Sequence, residues 1–131
     1  DVAVWRESNG NWYTINSTNG NINVNQYGIT GDQPATGDFD GDGENDLAVF
    51  RQSTGEWFVK RSRDNSFATF AWGTNGDVPV VGDYDNDGRD DIAVFRPSNG
   101  IWYVIGSTSA IFQSSPWGIA GDVPVPNKDN P

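Results

Sequence analysis

The chain has no cysteine, no methionine and no histidine among its 131 residues. Without cysteine there is no disulfide framework and no thiol chemistry. Without histidine the commonest general base is missing as well. The serines lie in turns with no base beside them in the pattern, so the expectation is a non-catalytic protein. No run of 18 apolar residues occurs, so no membrane insertion is expected. Methionine is missing even at position 1, which points to a processed or excised piece with any targeting signal outside it. Positive charge is scarce: 8 basic residues stand against 18 acidic ones, a formal net charge of −10. That balance argues against nucleic acid and anionic membranes as partners.

The acidity is concentrated. Residues 38–46 read DFDGDGEND and residues 83–91 read DYDNDGRDD. Two carboxylates 4 Å apart repel by about 1 kcal/mol in water, and by more where water is excluded. A loop that crowds four of them needs a cation to offset the charge, and a hard cation with many oxygen ligands, calcium above all, suits it. Aspartates at loop positions 1, 3 and 5 followed by glycine at 6 match the opening of a calcium loop. The expected ligands are Asp38, Asp40, Asp42 and Asp46 in the first loop, and Asp83, Asp85, Asp87 and Asp91 in the second. The position-7 residues, Glu44 and Arg89, would add a backbone carbonyl to each site. An EF-hand would need glutamate at position 12, where Val49 and Val94 stand. The glycine-rich nonapeptide of calcium β-helices is absent. A solvated acidic turn would account for one such loop, since Asp and Gly favour turns. Two copies with the same internal spacing favour two calcium sites.

The loops belong to a longer repeat. Asp1, Asp46 and Asp91 are spaced 45 residues apart, and each begins a similar run: DVAVWRESNGNWYTI, DLAVFRQSTGEWFVK, DIAVFRPSNGIWYVI. Gly28, Gly73 and Gly118 keep the register, as do Pro34, Pro79 and Pro124. The chain therefore reads as one domain, 1–131, built of units 1–45, 46–90 and 91–131. LAVF and IAVF are short apolar runs that suit strands covered on both faces. EWFVK and IWYVI are aromatic and β-branched, again strand-like. Between them STG and SNG read as three-residue hairpin connections. In the last complete unit four strands are expected: A at 78–82, B at 91–96, C at 101–105 and D at 111–117. No segment has helical periodicity. The fold class is all-β, with three 45-residue four-stranded repeats of the kind that build β-propeller blades.

The motif Asp-x-Asp-x-Asp-Gly-x-x-Asp followed by an apolar strand resembles the FG-GAP or VCBS repeats of integrin-type β-propellers. GDFDGDGENDLAVFR and GDYDNDGRDDIAVFRPSNGIWYV are similar to bacterial members in particular, and the likeness covers essentially the whole chain. It implies a calcium ion on the loop between the first two strands of a blade, held by the aspartates named above. The third unit departs from the pattern, with Lys128 where the first aspartate belongs, so no complete site is expected there. Asp1 reads as the remnant of a preceding loop.

Alternating strands sort the loops onto two faces, with the acidic loops on one and the B–C and D–A connections on the other. That second face carries Tyr27, Trp72 and Trp117 beside Asp32, Asp77 and Asp122. Aromatic rings beside carboxylates suit a sugar, which stacks its C–H face and bonds its hydroxyls. The same residues recur in every unit, which also fits packing between blades. Positions that vary on this face, such as Glu7/Gln52/Pro97 and Thr30/Asn75/Ala120, are the other ligand candidates. The expected function is a calcium-stabilised recognition or adhesion module, extracellular or at the cell surface, binding a glycan or a protein surface. The alternative is a structural spacer or accessory part of a larger secreted enzyme. Three units fall short of the four to eight blades of known propellers. The chain is therefore expected either to pair with a second copy in a six-bladed ring or to join other blades of a longer parent chain.

Overall fold

The computed structural model describes residues 2–106 and 112–125. Among them there is no helix, and eleven strands form three antiparallel sheets. The first sheet is β1 (Val2–Arg6), β2 (Asn11–Ile15) and β3 (Ile22–Gln26). The second is β4 (Asp32–Pro34), β5 (Leu47–Arg51), β6 (Glu56–Lys60) and β7 (Phe67–Ala71). The third is β8 (Val78–Pro79), β9 (Ile92–Arg96), β10 (Ile101–Ile105) and β11 (Phe112–Pro116). Each is a meander in which sequence neighbours pair, the arrangement that short connections impose.

The apolar runs take the central places. β5 and β9 are buried on both faces along residues 48–50 and 92–95, as their lack of polar alternation predicts. One core lies between the second and third sheets, where Phe50 and Trp57 meet Val81, Ile92 and Val94. The tryptophans at the start of each β2-like strand have a common task. The indole N–H groups of Trp12, Trp57 and Trp102 donate to the carbonyls of Tyr27, Trp72 and Trp117 at 3.0, 2.8 and 2.9 Å. This bond ties the hairpin to the segment leaving the third strand, so the residue recurs for structural reasons.

Two expected boundaries shift. The connection from β5 to β6 is four residues long, 52–55, because the Arg51 carbonyl accepts both the Thr54 and Gly55 amides and Gln52 leaves the ladder. Strand A is regular only over Val78–Pro79. Beyond the proline it continues as single contacts, the Val80 amide to the Ala93 carbonyl at 2.9 Å and a bridge between Gly82 and Asp91. Residues 122–125 form no strand.

Candidate metal centres

Each acidic loop bridges the short A strand and the central strand of its sheet. The Asp46 amide donates to the Gly37 carbonyl and the Asp91 amide to the Gly82 carbonyl, both at 2.7 Å, which pins the loop mouths. Inside, aspartate side chains replace the missing backbone ladder. Asp38 Oδ1 accepts the Gly41 and Asp42 amides at 2.8 and 3.1 Å, and Oδ2 accepts the Gly43 amide at 2.9 Å. Asp83 repeats this with the Asp87 and Gly88 amides at 3.0 and 2.9 Å. Gly43 and Gly88 turn the chain at φ of 91° and 86°, where a side chain would be strained.

The last aspartates are fully buried. Asp46 Oδ2 accepts the Phe39 amide at 3.0 Å, and its Oδ1 takes the Ser62 amide at 2.8 Å. Asp91 Oδ2 accepts the Tyr84 and Asp85 amides at 2.7 and 3.2 Å. Ser62 comes from the β6–β7 hairpin, which places that hairpin on the same face as the acidic loop.

The carboxylates converge. Oxygens of Asp38, Asp40 and Asp42 lie within 4.8 Å of one another, and so do oxygens of Asp83, Asp85 and Asp91. The buried Asp46 is not in the first group, nor Asp87 in the second. Glu44 and Arg89 are held by their amides, which donate to Asp42 Oδ1 and Asp87 Oδ1 at 2.9 and 2.8 Å. One oxygen in each loop is buried without a hydrogen-bond partner: Asp40 Oδ2 and Asp85 Oδ1. The nearest cation to the first is the Arg63 guanidinium, at 3.9 Å, beyond hydrogen-bonding reach. Burial pushes the Asp40 carboxyl above the usual carboxylate range; the Asp42 amide opposes this, and the charges of Asp46 and Asp42 add to it. Burial raises Asp85 too, reinforced by Asp91 and Asp87. A hard divalent cation would relieve both the orphaned oxygens and the repulsion, so these oxygen-only donor sets fit one.

Residues 38–94 match the family model of the FG-GAP-like repeat. The matched segment runs from the first acidic loop through the second and into β9. Comparison with curated proteins and with solved structures gave no match. Lys128 and Asp1, read as a lost and a remnant ligand position, lie outside the described residues.

Sequence reasoning missed Asp90. Its Oδ2 accepts the Asp38 amide at 2.8 Å, so the second loop of the repeat reaches into the first. A signal was there: the second loop ends in Asp90 and Asp91 where the first has Asn45 and Asp46, one carboxylate more than the ligand pattern needs.

On the opposite face the repeat fixes its acids firmly. Asp32 is bound by Arg51 through two bonds of 2.8 and 3.0 Å, and Asp77 by Arg96 through two of 2.9 and 3.0 Å. Each also accepts a turn amide, from Ile29 or Thr74. Arg51 and Arg96 in turn lie over the Phe58 and Tyr103 rings, both at 4.3 Å. Trp72 donates to the Tyr103 carbonyl of the next sheet at 3.2 Å, and Tyr27 packs on Phe67 at 5.8 Å between centroids. Trp117 and Asp122 are exposed. Between these turns lies a cleft of ≈ 250 Å³ lined by Ile29, Thr30, Gln52, Ser53 and Asn75 among others.

Proposed function

We propose that this chain is a calcium-stabilised extracellular recognition module of propeller-blade architecture, non-catalytic, with glycan binding as its leading activity. The observation that carries the calcium part is the pair of buried, unpartnered oxygens, Asp40 Oδ2 and Asp85 Oδ1, one in each acidic loop. Calcium is the cation of choice because the donors are all oxygen and the ion accepts a variable number of them. It is also abundant outside cells, where sites of modest affinity fill.

Recognition is supported by the face opposite the metal loops. There the cleft is lined at Thr30, Gln52 and Asn75 by positions that differ from unit to unit. Amide and hydroxyl side chains from Thr30, Gln52, Ser53 and Asn75 in this cleft offer a sugar hydrogen bonds. A protein surface is the second possible ligand of the same face. A glycan array probed with and without chelator tests this reading. Binding lost on Gln52→Ala or Asn75→Ala, with folding intact, supports it.

One observation favours the spacer reading instead. Asp32 and Asp77 spend their carboxylates on Arg51 and Arg96 and are fully or almost fully buried. Silence on glycans together with a strongly calcium-dependent melt would make the chain a calcium-hardened spacer or an accessory part of a larger secreted enzyme.

A further inference from the structure

Four asparagines stand directly before a glycine: Asn9, Asn19, Asn75 and Asn99. Such a pair carries its own chemistry, because a glycine has no side chain to keep its amide nitrogen away from the preceding asparagine's side-chain carbonyl. Three of the four are held against that approach. Asn9, Asn19 and Asn99 each accept, through Oδ1, the amide two residues on, at 3.0, 2.9 and 3.0 Å. The glycine amides are engaged as well. Gly10 donates to the Arg6 carbonyl, Gly20 to that of Asn16 and Gly100 to that of Arg96, at 2.9, 2.8 and 2.9 Å. Asn9 and Asn99 are tied further by Nδ2, which donates to the Tyr13 and Tyr103 hydroxyls.

Asn75–Gly76 has none of these restraints. The pair forms the middle of a tight turn, residues 74–77. The Asp77 amide donates to the Thr74 carbonyl at 3.2 Å, and the Thr74 amide to Asp77 Oδ2 at 2.9 Å. Both Asn75 and Gly76 are exposed. Neither the Asn75 side chain nor the Gly76 amide has a hydrogen-bond partner among the described residues. The matching turn one unit earlier shows what is different. There the Gly31 amide donates to Glu7 Oε1 at 3.1 Å. Gln52 stands where Glu7 does in the repeat, and its Nε2 donates to the Asp77 carbonyl at 3.2 Å instead. The Gly76 N–H is thereby left unclaimed.

We propose that Asn75, left unguarded by Gln52, is the Asn-Gly pair of this chain that deamidates spontaneously. The Gly76 amide gives its proton to hydroxide, and its nitrogen attacks Asn75 Cγ. A C–N bond forms, the Cγ–Nδ2 bond breaks, and ammonia leaves a succinimide ring. Water then opens the ring at either carbonyl, giving aspartate or, where the main chain is rerouted through the side chain, isoaspartate. Nothing is oxidised or reduced, and water is the co-reactant. A Cβ at Gly76 would meet nothing within 4 Å, so there is room for the ring and for the water that opens it. Asn75 lines the cleft together with Thr30, Arg51 and Gln52, so a neutral amide there becomes an anion. That charge alters ligand choice only if the cleft is the recognition site proposed above; the conversion itself does not rest on that reading. Asn19–Gly20 is the internal control. It is as exposed and as open as Asn75–Gly76, so its two hydrogen bonds are the difference.

The test is ageing of the 131-residue chain in warm, mildly alkaline buffer, followed by peptide mapping in a mass spectrometer. Exchange of amide for acid is read at each Asn-Gly pair. In the folded chain Asn75 should convert about tenfold faster than Asn19, or more, because two held groups must first be released there. In urea strong enough to unfold the chain, the four pairs should convert at similar rates. Gln52→Glu puts back the carboxylate that grips Gly31 one unit earlier, and should slow Asn75 about fivefold in the folded chain, with no effect in urea. Conversion of Asn75 no faster than that of Asn19 would overturn the proposal. So would a preference for Asn75 that survives unchanged in urea, since local sequence rather than the fold would then set it. A folded Gln52→Glu chain that converts at the wild-type rate would overturn it too.

Discussion

Asp90 and Asp38 exchange two hydrogen bonds: the Asp38 amide donates to Asp90 Oδ2 and the Asp90 amide to the Asp38 carbonyl, each at 2.8 Å. They join loops whose candidate metal clusters sit in different sheets. At Gly37, next to this pair, a Cβ would come within 2.6 Å of Val81 and 2.8 Å of the Asp90 carboxylate, so the backbone lies against its neighbour there.

Asp90→Ala should therefore lower stability by about 1–3 kcal/mol, the range for stranding a hydrogen-bonded amide. Urea unfolding in chelator measures this without any contribution from metal. An unchanged midpoint would mean that the two loops are mechanically independent.

Calcium should raise the melting temperature by binding the native state. At a hundredfold excess over Kd, one site contributes about 2.7 kcal/mol. Asp40→Asn and Asp85→Asn should each remove one site's share. In chelator the same variants should be neutral or slightly stabilising, because each replaces a buried, unpartnered carboxylate oxygen with a neutral amide. Calorimetric melts of the variants with and without calcium would reveal this inversion. A melt indifferent to calcium would sink the metal assignment.

Removing Arg96 leaves the Asp77 carboxylate buried and unpaired, at 1% side-chain exposure. Arg96→Met should cost about 3 kcal/mol or more. Arg96→Met/Asp77→Asn should recover part of that loss, since no charge is then stranded. Equilibrium denaturation of the single and double variants reads the coupling directly.

Glycines with positive φ should differ sharply. At Gly55, φ 73°, a Cβ would strike the Gly73 carbonyl; at Gly76, φ 95°, it would meet nothing. Gly76→Ala should cost about 1 kcal/mol, from the backbone alone. Gly55→Ala should cost several-fold more, because the rigid D–A crossover has to move. Comparing their denaturation midpoints checks the close approach of the two turns.

Much of this molecule is written locally. Apolar runs without polar alternation placed β5 and β9 at the centre, because only a strand covered on both faces tolerates them. The 45-residue register showed that the units repeat, and the aspartate spacing located both acidic loops, because hydrogen-bonded turns and oxygen clusters depend on residues a few positions apart. What depends on distant residues was not legible. VAVWR and LAVFR are nearly the same string, yet β1 is largely exposed and β5 buried. The difference is whether another sheet packs on the outer side, which a strand does not encode in itself. Asp32 and Asp77 read equally as ligand contacts or as packing, and only the fold shows the arginines, 19 residues further along, that hold them. Asp90 looked like surplus charge until 52 residues of intervening chain brought it against the first loop. Local hydrogen bonding chose the strands and turns; burial and pairing across sheets, which only the packed chain brings about, decided what each carboxylate does.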